Sequence, residues 1–284
     1  MNRRYLGLLL LAFGASANQP ALTFTPYTVA FPSASLEDNG KVGQEIYGFT
    51  LDKGGRLNDQ WLMSWQLEGA YSDFDFNRSS LMDGRLEAWD NVKTLGVGVN
   101  FTKPNRTGLT WFLGPRVQWA YADTTSFGDG FGYGLLAGAS YPVSDTLTLG
   151  FGGGYFNDPY DVRWMPVLFI KWQITDKLKL DNPFEPGFAG RGGLELSYRL
   201  NPTWEFGAGM AFRTQNFAVD EGAIEIEQPL SFLRGSFTAE GGWRLSGYLG
   251  HRSEGEFSLR GPNGGDKRDL SSESAFGVVV TTHF

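Results

Sequence analysis

Alternation of apolar and polar residues with a period of two recurs along almost the whole chain after residue 20. It is the signature of a β-strand with one apolar face. The pattern is clearest at Leu109, Trp111, Leu113, Val117, Trp119 and Tyr121, interleaved with Thr110, Gly114, Arg116, Gln118 and Ala120, with Phe112 the one bulky exception. Trp61, Met63, Trp65, Leu67 and Tyr71 alternate in the same way with Ser64, Gln66, Glu68 and Ser72. Similar runs end with Trp204-Phe206-Ala208-Met210-Phe212, Trp243-Leu245-Leu249 and Phe276-Val278-Val280-Thr282-Phe284. No helical period of apolar residues persists beside them.

Composition agrees with strands. The 284 residues include 39 Gly, 23 Phe, 11 Tyr and 9 Trp; glycine disfavours helices and large rings are enriched in sheets. Cysteine is absent, which excludes a disulfide framework and zinc-cysteine sites. The longest apolar run, Leu6 to Ala15, is too short to cross a bilayer as a helix. Arg3 and Arg4 precede it and Ala15-Ser16-Ala17 follows, the order of a secretory signal peptide over residues 1–17. Its removal takes the net charge from −7 to −9, because two arginines leave. Such an acidic exported chain has little with which to neutralise phosphates, so a nucleic-acid partner is not expected.

Short polar connections at 103–107, 144–146, 175–177, 201–203 and 239–241 alternate with longer ones at 73–91, 123–130, 157–162, 182–191, 214–223 and 260–272. Short turns at one end and long loops at the other suit an up-and-down barrel. A soluble sandwich also has one-faced strands, but the rings argue against it. Trp111 and Trp119, Tyr133 and Tyr141, Trp164 and Trp172, and Trp204 and Phe212 each stand eight residues apart on the apolar face. Eight strand residues cover roughly 26 Å. At a tilt of about 40° they rise roughly 20 Å, close to the apolar band of a membrane barrel with an aromatic girdle at each edge.

The expected fold is therefore all-β: an antiparallel up-and-down transmembrane β-barrel over residues 18–284, with fourteen strands, or twelve if the weakly patterned 22–31 and the short 178–182 drop out. The signal segment, the girdles and the C-terminal strand together resemble a Gram-negative outer-membrane β-barrel. In that class the terminal aromatic strand, here Phe276, Val278, Val280 and Phe284, resembles the signal read by the barrel-assembly machinery; Thr282 departs from it, a larger apolar residue being usual there. The segment from Arg163 through Leu259 is also similar to a domain-of-unknown-function barrel family. The resemblance implies location in the bacterial outer membrane, with its lipids and lipopolysaccharide as surroundings, and implies no activity.

Like faces must meet across each turn, because a slip of one residue reverses every side chain. This pairs Leu200 with Trp204 outside and Arg199 with Glu205 inside, and likewise Trp172 with Leu180 and Lys171 with Asp181. The lumen is then expected to carry Glu68, Arg116, Lys171, Glu195, Arg199, Glu205, Arg213 and Arg244, beside a bare wall of Gly132, Gly134, Gly138, Gly150, Gly152 and Gly154. One reading is a narrow, charged, porin-like pore for small solutes; the other is a closed structural barrel in which long side chains fill the space over the glycines. Twelve to fourteen strands are wider than side chains alone fill, which favours the pore. The loop 73–91, through Ser79-Ser80-Leu81-Met82-Asp83 and Leu86-Glu87-Ala88-Trp89, is the candidate constriction if it turns inward; otherwise it is a solvated loop.

An enzyme is the third reading. His251 and Ser253 share the parity of Trp243, Leu245 and Leu249, and resemble the His-x-Ser arrangement of outer-membrane phospholipase and lipid A deacylase barrels, where His activates Ser for acyl transfer. Glu254 stands where those families have Asn, and no orienting acid or oxyanion donor is identifiable, so the pair reads as the polar rim of a strand. The chain carries no motif for a metal or cofactor. Acidic pairs such as Asp73 with Asp75, or Asp158 with Asp161, are ordinary solvated carboxylates unless a cation bridges them to lipopolysaccharide.

Overall fold

The computed structural model describes residues 22–284 apart from 38–39, 79, 183–186, 191, 221 and 263–264. The signal segment 1–17 lies outside the described residues. Fourteen antiparallel strands follow one another round a closed ring. They are β1 (Leu22–Ser35), β2 (Lys41–Arg56), β3 (Leu62–Phe76), β4 (Asn91–Lys103), β5 (Thr110–Ala122), β6 (Phe131–Pro142), β7 (Leu147–Asp158), β8 (Asp161–Gln173), β9 (Leu178–Asp181), β10 (Gly193–Arg199), β11 (Trp204–Val219), β12 (Gly222–Thr238), β13 (Arg244–Arg252) and β14 (Glu273–His283). Closure is made by β1 against β14, where Thr23 pairs with His283 and Ala30 with Phe276. Closing the ring removes most strand edges, as a sheet that crosses lipid requires, although the short β9 meets β8 only over Lys171–Gln173 and leaves the rest of that β8 edge without a ladder partner among the described residues.

The register expected across two turns is the observed one: Arg199 opposes Glu205, Trp172 opposes Leu180 and Lys171 opposes Asp181. The apolar face points outward. Trp111, Tyr133, Tyr141, Trp164, Trp172, Trp204 and Phe206 are all exposed, Trp164 by 77 %. Phe276, Val278 and Phe284 are exposed on the same outer surface. Exposed rings of this number have no stable arrangement in water and are satisfied by acyl chains.

Three connections differ from the sequence expectation. The stretch 214–223 is mostly strand rather than loop: β11 and β12 stay paired from Trp204–Phe237 to Val219–Gly222. Gly222 stands there at φ +147°, with Arg260 and Gly261 packed where a Cβ would sit. The stretch 157–162 is likewise a tight turn, because Asp158 pairs with Asp161. The expected strand 242–259 divides at Arg252. Its second part, Gly255–Arg260, leaves the wall, pairs with Ala223–Glu227 of β12, and forms a hairpin with Asp266–Leu270. Acidic and glycine residues in these stretches read as loop, although Phe217, Val219, Ile224 and Phe257 among them need burial.

Candidate functional site

Those same apolar residues build a cap over the outer end of the barrel. The paired tip of β11 and β12 leans across the mouth until Ala218 pairs in parallel with Tyr121 of β5, six strands away round the ring. Phe217, Val219, Ile224 and Ile226 on the tip pack with Phe74 and Val92 of the inner wall, with Phe257, Leu259 and Leu270 of the outer hairpin, and with Leu81, Met82, Leu86 and Trp89. The last four belong to the loop after β3, so that segment turns inward as a buried part of the cap. Trp89 is its centre: 2 % exposed, with ring centroids 4.9 Å from Phe76, 5.2 Å from Phe217, 5.5 Å from Phe74 and 6.1 Å from Phe257.

Ion pairs stitch the cap together. Asp266 pairs with Arg85 and, at 2.7 Å, with Arg268, and Arg268 also reaches Asp83 at 2.7 Å. Burial works to raise the Asp266 carboxyl, but the Lys267 backbone N–H and the Arg268 guanidinium outweigh it and hold the group below its ordinary value. Glu225 on the tip is tied to Arg260 at 2.7 Å and stands 3.6 Å from Arg163 of β8, which itself pairs with Asp158.

Beneath the cap lies a cavity of about 1270 Å³, running from Thr23, Gly55 and His283 near the turn end to Val92, Ala120 and Phe217 below the cap. It exceeds the roughly 300–1,000 Å³ of ordinary ligand pockets. Seven cationic and six anionic side chains line it, together with amides and hydroxyls. Opposite charges are mostly paired. Glu68 meets Arg116 at 2.6 Å, and Arg116 also donates to Gln118 at 2.9 Å. On the far wall Arg234 bonds Glu195 through Nε at 3.0 Å and Glu205 through Nη2 at 2.8 Å, while Arg244 reaches Glu205 at 2.8 Å. Arg234 and Glu195 are almost wholly buried, and Gly207 leaves the room in which their pair sits. Charges at that depth persist only when paired and hydrogen-bonded.

Of the residues expected in the lumen, Glu68, Arg116, Glu195, Glu205, Arg213 and Arg244 line this cavity. Arg199 lies instead in a small recess at the turn end with Asn201, Trp204 and Arg244. Lys171 is exposed at the same end, beside Asp181. Arg213 donates to the carbonyls of Gly187 and Phe188, and so holds these two residues inside the barrel. Phe188 there is 1 % exposed and stacks on Tyr248 at 4.7 Å, filling one side of the lumen. Arg234, Arg163 and Asn216 were not singled out by sequence reasoning, and Asp158, expected as a solvated carboxylate beside Asp161, is instead 5 % exposed and paired with Arg163. Arg234, Arg163 and Asp158 have the inward parity of their strands, a signal that was available.

The glycine wall is not bare. Phe112, the exception in its strand, points inward against Gly138, and Phe156 lies over Gly134 and Gly154. The glycines therefore seat rings of the wall itself rather than side chains from the charged side. His283 also faces the cavity and shares a hydrogen bond of 3.0 Å with Thr23. His251 is exposed on the outer surface between Ser231 and Ser274, and Ser253 follows the end of its strand with its N–H donating to Pro229 at 2.9 Å. No hydrogen bond joins His251 to Ser253 among the described residues.

No family model matches the sequence, so the similarity of 163–259 to a domain-of-unknown-function family gains no support, and no curated protein matches it either. Solved structures do resemble it. The COG4313 outer membrane channel from Pseudomonas putida F1 superposes with a TM-score of 0.56 at 10 % identity, over 96 % of this chain and 100 % of that one. A FadL homologue from Pseudomonas aeruginosa gives 0.50 at 11 % identity, over 92 % and 88 %. At such identity the likeness is one of fold. Together with a closed ring, an apolar ring-belted exterior and a polar interior, it makes the chain a β-barrel of the Gram-negative outer membrane.

Proposed function

We propose that the protein is a non-enzymatic outer-membrane channel for small solutes, closed at its outer end by the cap. One observation carries this reading: the cavity of about 1270 Å³ beneath the cap, with charged and amide side chains along its length. A lumen meant only to support a barrel has no need of so much polar, unfilled space, since side chains already fill narrower rings. The near balance of seven cations and six anions, mostly paired, gives a conduit with weak ion selectivity. Passage requires the cap to move, because its apolar cluster admits no water.

The cap also favours a second reading, the closed structural barrel. Planar-bilayer recording separates the two. Wild-type protein is expected to show rare, brief conductance steps, and a variant with Phe217–Ile226 replaced by a short glycine-rich turn to show frequent ones. Silence from a correctly folded cap-deleted variant refutes the channel. The outward placement of His251, apart from Ser253, gives acyl transfer no support; equal ester release from phospholipid by wild type and Ser253→Ala is the expected result.

A further inference from the structure

Carboxylates crowd one face of the cap. Along the tip of β12, Ile224 and Ile226 belong to the apolar cluster around Trp89, so alternation turns Glu225 and Glu227 to the opposite face. There Glu227 stands directly opposite Glu256 of the outer hairpin, and Glu225 opposite Ser258. Opposed residues on paired strands have Cβ atoms roughly 4.5–5.5 Å apart, and like charges so placed destabilise the pair.

The cations around them are engaged by other carboxylates. Lys267 pairs with Glu256, which also accepts from Ser258 Oγ at 2.7 Å. Arg260 holds Glu225 at 2.7 Å and reaches Asp161 at 3.3 Å, while Arg163 of β8 pairs with Asp158 and stands 3.6 Å from both Glu225 and Asp161. Asp269, opposite Glu256 on the next strand of the hairpin, adds a further carboxylate. Glu227 itself makes no ion pair and no side-chain hydrogen bond among the described residues. Burial, with Glu225 and Glu256 beside it, pushes its carboxyl up to about 7.

We propose that Glu227 is the latch of a pH-operated cap: protonated, it lets the tip of β12 lie against the outer hairpin, and ionised, it drives the two apart. A carboxylic O–H can donate to the carboxylate of Glu256, whereas a second carboxylate can only repel it. The closed cap binds this proton more tightly than the lifted tip does. Its support is therefore complete below about 4.5, the ordinary value, and is lost as pH rises through about 7. Gating of solute by the latch rests on the channel reading; the latch itself does not.

Hydrogen exchange of the folded, detergent-solubilised protein tests it without any need for conductance. Each rate is divided by the intrinsic rate at its pH, which leaves the opening constant of the cap. In wild type that constant is expected to rise roughly three- to tenfold from pH 6 to pH 8 for amides of 214–219 and 222–227, the lower figure allowing for solvent screening of a half-buried group. Amides of Leu67 and Val97 in the wall are expected to show no rise. Glu227→Gln should abolish the rise and keep the low opening constant that wild type has at pH 6. Glu256→Gln should diminish it, and serves if the first variant fails the check of heat-modifiable migration in detergent gels. His251→Ala, on the outer surface, should keep the full rise. A constant that does not rise in wild type, a rise shared by the wall, an undiminished rise in either glutamine variant, or its loss in His251→Ala overturns the inference. A latch that titrates as expected in a protein that never conducts refutes the channel and leaves the latch standing.

Discussion

Replacing Trp89 by alanine is expected to loosen the cap and leave the barrel intact. The indole is 2 % exposed and is surrounded by Phe74, Phe76, Phe217 and Phe257. Removing a buried aromatic ring of this kind costs about 3–5 kcal/mol, because the transfer free energy is lost and the surrounding rings relax only partly into the space. The cost falls on the cap alone, since the barrel strands are held by their own ladders. A tenfold change in population corresponds to about 1.4 kcal/mol, so the open fraction of the cap should rise by roughly 10² to 10⁴. Amide hydrogen exchange reads this directly. Protected amides of 80–89 and 214–227 should exchange faster by that factor, while those of Leu67 and Val97 in the wall stay unchanged. In bilayers the same variant should conduct more often than wild type. An acceleration below tenfold in the cap, or one spread evenly through wall and cap, would refute the claim that Trp89 holds a separately opening unit together.

Three further outcomes follow from the same structure. Arg234→Met removes the partner of a buried Glu195 and should lower stability by about 3–5 kcal/mol in urea titration, with part of the loss restored in the double variant carrying Glu195→Gln; equal stability of the two variants contradicts this. Phe151→Arg puts a charge on an outer-facing position that is 64 % exposed, and should cost about 2–4 kcal/mol for the barrel folded in lipid; an unchanged stability would turn the barrel inside out. The depressed Asp266 carboxyl supports the cap fully above its unfolded value of about 3.9, and that support is lost as pH falls through the lower folded value. Pepsin is therefore expected to begin cutting the loop 77–90 only below about pH 4 while sparing the wall, and cutting that is independent of pH would show that the ion pairs contribute nothing.

Much of the wall is legible in the chain because a membrane barrel is locally encoded. Each strand must show apolar residues to lipid at every second position, so Trp111, Tyr133, Trp164 and Trp204 announce both their strands and their outward face. The same parity places Glu68, Arg116, Glu195 and Glu205 inside. It also marked Arg234, Arg163 and Asp158, whose partners went unread because no single strand reveals which charges meet across the ring.

The cap is another matter. Asp220, Glu221 and Gly222 carry the composition of a loop, and the apolar residues on either side look no different from those that face lipid. Their burial against Trp89 depends on Tyr121, some hundred positions earlier, standing six strands round the ring. Asn216, whose amide has no hydrogen-bond partner among the described residues, is equally silent in sequence, where it is one polar residue among many. Alternation along the chain therefore determined the strands, their faces and their place in a membrane, since these depend only on near neighbours and the solvent each face meets. Closure of the ring alone decided which distant side chains share the lumen, and so what shuts it and what it leaves unsatisfied.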